Sequence, residues 1–206
     1  MPVQLYERDD ILEACLSVFA RHGYKHTSTG MLAEAAGISK ALIFHHFKNK
    51  KTLYLSLLEH CYEKVSTALE VDFISEQEYF FEALDLYMRR KFDYYRKHPE
   101  ESKLVYEAFY SIPDELKEDI EEKFGHELAI KDQVWERLFD KFLLQDGLVR
   151  SHALELIRIA FTHLDTKFFA DLTNGVSIND EYIFNLHEKV RHFCSMLRDG
   201  IEQEPS

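Results

Sequence analysis

Between residues 8 and 54 the spacing of apolar side chains against Ser and Gly leaves the chain few options. Ile11, Leu12, Cys15, Leu16 and Phe19 recur at intervals of three and four and lay a single apolar stripe along a helix. Gly23 ends that helix. Ser28 has the character of an N-cap for a short second helix through Leu32, Ala33 and Ala36, and Gly37 supplies the backbone freedom for a tight turn out of it. Ser39 caps a third helix, Lys40 to Phe47, before Lys48 and Asn49 break the pattern. Two short helices joined across a Gly turn have the dimensions of a helix-turn-helix, whose second helix enters the major groove of DNA. Lys40 to His46 are then the candidate readers.

Charge is segregated in the same sense. The chain has 206 residues and a net charge of −12, which looks hostile to a polyanion. Residues 1 to 52, however, carry seven basic against five acidic side chains, a net of +2, while the remainder carries eighteen against thirty-two, a net of −14. His22, His26, His45 and His46 add to the basic end, and the acidic remainder is expected to face away from DNA.

The rest reads as helices and short joints. Hydrophobic residues at 46% exclude a disordered chain, and with only 4 Pro and 7 Gly and no strand-length alternation the expected class is all-α. A fourth helix is expected from about Thr52 to Leu69, and a fifth from about Glu76 to His98-Pro99, where the residue before proline is steered out of helix. A sixth runs to Tyr110, and a seventh starts at Pro113 and carries Leu116, Ile120, Phe124, Leu128, Trp135 and Leu138. The eighth, about 151 to 173, is apolar on more than one face, so it must bury two. The ninth, about Asn179 to Arg198, shows Ile183, Leu186, Val190, Phe193 and Leu197 spaced by three and four. The division expected is a three-helix domain over residues 1-51 and a helical domain over 52-206.

Cys15, Cys61 and Cys194 are odd in number, far apart and set in helical stretches, which reads as reduced, buried thiols; the alternative is a redox sensor at Cys61. Asp9, Asp10 and Glu13 interrupt the one N-terminal apolar candidate, so no signal or membrane segment is expected, and the reading is a soluble, cytoplasmic protein without a membrane partner. Glu59-His60 with Glu63, or His163 with Asp165, do not place three or four ligands on one helical face, and no Gly-rich phosphate loop occurs. No metal, no cofactor and no enzyme activity is expected.

The N-terminal residues resemble the TetR family of bacterial transcriptional regulators. The matching elements are Phe19, Gly23-Tyr24, Thr27-Ser28-Thr29, Ala36-Gly37-Ile38-Ser39, Phe44-His45-His46-Phe47, Lys50 and Leu53. Ala41 stands where that family often has Gly, and Phe44 where it usually has Tyr; the first can meet a thymine methyl, while the second lacks a hydroxyl for phosphate. The resemblance implies a ligand-responsive regulator, a repressor or with the same parts an activator, that binds a palindromic double-stranded DNA operator as a homodimer. Ser28, Thr29, Ser39 and Lys50 would then hold phosphates, and Lys40, Ala41, Phe44, His45 and His46 would approach base edges or adjacent phosphates.

The resemblance also implies that the last two helices pair with their copies in a four-helix bundle, through Leu154, Phe161 and Phe168 on the eighth and Leu186, Val190, Phe193 and Leu197 on the ninth. The other reading of the eighth helix is that it is central to one subunit's own core. Of 28 aromatic residues, 22 lie beyond Leu55, a pattern that alone indicates core. With the resemblance it implies a site for a small apolar or amphipathic effector among Tyr62, Tyr106, Phe109, Trp135, Phe139 and Phe161. Asp165 faces either a cationic group of that effector or a paired charge at the dimer seam. The alternative function is a helical module that holds a lipid or a protein without sequence-specific DNA binding.

Overall fold

The computed structural model describes residues 8–69, 74 and 76–203. Nine α-helices lie among them: α1 (Arg8–His26), α2 (Thr29–Ala35), α3 (Lys40–Phe47), α4 (Lys50–Leu69), α5 (Phe80–Lys97), α6 (Pro99–Tyr110), α7 (Lys117–Asp140), α8 (Arg150–Thr173) and α9 (Asp180–Ile201). No strand occurs among the described residues, and the fold class is all-α, with the short helices at the N-terminal end. Pro113 does not open α7 directly; it precedes a 3₁₀ turn, Asp114–Leu116, and the α-helix follows.

The helix ends follow from local chemistry. α1 is interrupted at Gly23, whose φ of 68° and ψ of 170° are non-helical, and Thr27 Oγ1 then donates to the Gly23 carbonyl at 2.7 Å. Gly37, at φ 64°, closes α2: its N–H donates to the Glu34 carbonyl and that of Ile38 to the Ala33 carbonyl, the paired bonds that satisfy a helix's last acceptors and require a left-handed residue. Ser28, Ser39 and Asn49 cap α2, α3 and α4, their side-chain oxygens accepting from the N–H groups of Met31, Leu42 and Thr52 at 3.3, 3.2 and 2.8 Å. Each such cap contributes about 1 kcal/mol. Asn49, which the sequence pattern marks only as a break, thus starts α4 two residues before Thr52.

The chain divides into two compact units, one drawn from Met1–Ala68 and His98–His126, the other from Leu69–Lys97 and Glu127–Ser206. In the first, Ile11, Leu12, Cys15 and Phe19 of α1, Leu32 of α2, Ile43 and Phe47 of α3 and Leu53, Leu57 and Leu58 of α4 are all buried. α6 packs on α1. α4 is stitched to α6 and α7 by Lys64–Glu101 at 2.9 Å, Lys123–Glu59 at 2.7 Å and Lys51–Asp119 at 3.0 Å. Exposed pairs of this kind contribute little singly, on the order of 0–1 kcal/mol, but three along one helix fix its direction.

In the second unit α5 packs against α9 and α9 against α8. Rings fill the space: Phe92 lies 5.5 Å from Phe168, Tyr95 5.0 Å from Phe169, and Phe80 4.8 Å from Phe139. Arg150 donates to the carbonyls of Phe139 and Phe142, at 2.6 and 3.0 Å, and so ties the start of α8 to the end of α7. No described helix is long and apolar enough to cross a membrane. Cys15, Cys61 and Cys194 are free and buried, and burial pushes each thiol up to about 12, so none carries thiolate at neutral pH.

Candidate functional site

α3 has two unlike faces. Ile43 and Phe47 are buried, and they hold the helix against the first unit, while Lys40, Ala41, Phe44 and His45 are exposed, Phe44 with 44% of its surface. His46 is half-buried, its ring 5.5 Å from that of His45. Ionisable, apolar and aromatic groups therefore stand side by side on a helix of eight residues whose orientation the core fixes.

The hydroxyls of Ser28 and Ser39 act only as acceptors in their caps. A hydroxyl has one proton to donate besides, and both residues are exposed, so each retains an O–H for an external acceptor such as phosphate. Thr29, half-buried, follows Ser28 as the first residue of α2. Lys40 bends back from α3 across this point: a Cβ placed on Gly30 would stand 3.2 Å from Lys40 Cε and 3.3 Å from Nζ. Its ammonium thus lies beside the start of α2, next to Ser28.

Lys50 is placed otherwise than its expected phosphate role requires. Its Nζ donates to the backbone carbonyls of Tyr24 at 2.8 Å and Thr27 at 3.0 Å and lies 4.2 Å from the centre of the Tyr24 ring. Two of three ammonium donors are committed, because the broken end of α1 leaves carbonyls that no helical N–H reaches. Lys50→Met should therefore lower stability by about 1–3 kcal/mol, the cost of leaving buried acceptors without a charged donor, as measured by urea unfolding. Unchanged stability would show these bonds to be replaceable by water.

The expected effector residues fall in two groups. Tyr62 and Phe109 belong to the first unit and form a triangle of rings with Phe124, with centroids 5.3–5.6 Å apart; Tyr106, in the same unit, stacks on Tyr110 at 4.9 Å. Trp135, Phe139, Phe161 and Asp165 belong to the second. Phe139 is closed in by Phe80, Phe142 and the Arg150 guanidinium. Asp165 is 2% exposed and bonded to Lys91 Nζ of its own chain at 2.6 Å. Lys91 is the residue the sequence reading missed. It sits in the buried stripe of α5 with Leu84, Tyr87, Met88 and Tyr95, and a lysine inside such a stripe was the available signal.

Four expected seam residues are also placed inside one chain. Phe161, Phe168, Leu186 and Val190 are buried, because the spacing 153, 157, 161, 164, 168 turns that stripe of α8 toward its own core. Leu154, Phe193 and Leu197 are half-buried. The exposed apolar groups of these helices are different ones: Leu156 and Ile159 on α8, at 51% and 60%, and Phe184 and Met196 on α9, at 63% and 66%.

Residues 11–57 match the model of the bacterial regulatory proteins of the tetR family. The HTH-type transcriptional repressor AcnR of Corynebacterium glutamicum is 46% identical over 50 residues, covering 24% of this chain and 27% of that protein, so the chain matches little more than a quarter of that relative's length. The HTH-type transcriptional regulator RutR of Escherichia coli is 28% identical over 205 residues, covering 93% of this chain and 88% of its own. Among solved structures, the transcriptional regulator FadR of Bacillus subtilis, crystallised with stearoyl-CoA, superposes with a TM-score of 0.68 at 21% identity, covering 95% of this chain and all of that one. PfmR of Thermus thermophilus superposes at 0.61 and 20% identity, over 94% of this chain and 99% of its own. Motif, fold and relatives agree: residues 11–57 carry the N-terminal domain of the TetR family of bacterial regulatory proteins, and over nearly its whole length the chain is similar to a regulator of that type.

Proposed function

We propose that the protein is a transcriptional regulator, a repressor, that binds a palindromic double-stranded DNA operator as a homodimer and is released by a small apolar or amphipathic effector. The observation that carries the reading is the outward face of α3: Lys40, Ala41, Phe44 and His45 stand exposed on a short helix whose other face is pinned by Ile43 and Phe47, and two exposed serine hydroxyls flank it. Such a helix is free to enter a major groove, with phosphates held at its margins. Acting on DNA, the protein works in the bacterial cytoplasm.

Selection from a randomised duplex tests this directly. The enriched sequence should be two-fold symmetric, with half-sites a whole number of helical turns apart, since each half is read by one copy of α3. No enrichment would sink the DNA-binding reading and leave a helical module for a lipid or a protein. On the selected site Lys40→Ala should change preference at one base pair by about 1–3 kcal/mol, measured by fluorescence anisotropy on single-base variants. An equal loss on every variant would make Lys40 a phosphate contact instead.

Release follows from linkage. An effector weakens DNA binding only by the ratio of its affinities for the DNA-competent state and the other state. α4 is placed to carry such a change within the first unit: Lys50 at its start holds the end of α1, and Glu59 and Lys64 pair with Lys123 of α7 and Glu101 of α6.

A further inference from the structure

Three helices of the second unit contribute to one polar cluster beside aromatic rings: Tyr87 and Lys91 of α5, Lys131 and Trp135 of α7, and Asp165 of α8, one turn beyond the buried Phe161. Lys131 Nζ donates to the Tyr87 hydroxyl at 2.7 Å, Lys91 Nζ to Asp165 Oδ2 at 2.6 Å, and the Trp135 ring meets that of Tyr87 edge-on at 5.3 Å. Lys91 and Asp165 are 8% and 2% exposed.

Two features go beyond packing. Asp165 Oδ1 is buried and has no hydrogen-bond partner among the described residues, although its sister oxygen has one, and a buried carboxylate oxygen in that state costs several kcal/mol unless a donor reaches it. The field at the Tyr87 hydroxyl is also net positive. Burial would raise this phenol, but the ammonium groups of Lys131 and Lys91 outweigh burial and the nearby Asp165, and hold it below its ordinary value. Because the hydroxyl accepts from Lys131, its own proton remains to donate.

We propose that this cluster is the head-group site for the effector, and that the head is a carboxylate bearing a hydrogen-bond donor on the adjacent carbon. The carboxylate accepts from Tyr87 and Lys131, the donor satisfies Asp165 Oδ1, and an apolar remainder lies against Trp135 and Phe161. A bare cation is the wrong sign for the field at Tyr87, and a bare carboxylate leaves the Asp165 oxygen unmet. The proposal rests on the reading of the protein as effector-responsive, but it concerns ligand binding alone.

The test uses the full chain without DNA, reading the fluorescence of Trp135, the chain's single tryptophan, and calorimetry. Four probes share a ten-carbon chain: 2-hydroxydecanoate, decanoate, decan-1-ol and decylammonium. 2-Hydroxydecanoate should bind most tightly, at least about ten-fold better than the alcohol or the amine, and decanoate should fall between. Lys131→Gln and Tyr87→Phe should each weaken 2-hydroxydecanoate by roughly ten- to a hundred-fold, the range for a hydrogen bond to a charged group, with little effect on decan-1-ol. Lys131 is partly exposed and Tyr87→Phe removes only an oxygen, so both variants fold. Equal binding of all four probes, tighter binding of decylammonium, or no binding of the acids would overturn the proposal. A failure here leaves operator binding untouched, and a protein that binds the acid but no operator would overturn the repressor reading instead.

Discussion

Leu156→Glu combined with Ile159→Glu is expected to yield a folded monomer that no longer holds its operator, whereas Phe161→Glu is expected to unfold the second unit. All three residues lie on α8 within six positions, and a sequence pattern treats them alike. Leu156 and Ile159 are 51% and 60% exposed, so a carboxylate there stays in water and costs the single chain almost nothing. In a homodimer that buries this face the same four charges, two from each copy, meet across the two-fold axis, unpaired and desolvated. Operator affinity should fall by about 10²–10⁴, the advantage that linking two readers confers over one. Phe161 is buried in its own subunit, and a charge placed there has no partner, a loss on the order of 4 kcal/mol or more. Sedimentation, circular dichroism and operator titration separate the outcomes. A double variant that remains dimeric would place the interface off this face, and a well-folded Phe161→Glu monomer would restore Phe161 to the seam.

Lys91→Met should be the most damaging single change that adds no charge. It removes one member of a buried ion pair whose other member, Asp165, already has one oxygen without a partner among the described residues. Breaking such a pair from one side costs about 3–5 kcal/mol, because the survivor's charge stays buried. For a chain of this size that corresponds to a fall in Tm on the order of 10 °C. Lys91→Met with Asp165→Leu should recover most of the loss, since two apolar groups in the place of a buried pair are close to neutral. Thermal unfolding of the single and double variants checks both. A single variant within about 1 kcal/mol of the parent would mean that the Asp165 side chain reaches water or another donor at little cost.

How much of this was legible beforehand depended on the range of the interactions. Helix ends are set by neighbours within four residues, so Ser28, Ser39, Gly23 and Gly37 announced α1, α2 and α3 nearly to the residue. Asn49 was hidden because a capping asparagine beside two lysines resembles a loop. The exposed face of α3 was readable for the same reason, since Ile43 and Phe47 are spaced to turn inward. Lys50 was not: its partners, the carbonyls of Tyr24 and Thr27, are 26 and 23 residues away and carry no side-chain signature.

The local pattern of side chains by itself determined the class of fold and the helix-turn-helix, because capping and amphipathic periodicity act within a few turns of one helix. Only the tertiary structure decided which face of α8 is core, that Asp165 is neutralised by Lys91 across 74 residues, and that Tyr62 and Phe109 lie in a different unit from Trp135 and Phe161. An apolar stripe states that a face will be buried and a carboxylate states that a charge must be met. Neither names its partner, which is settled only when helices distant in sequence pack together.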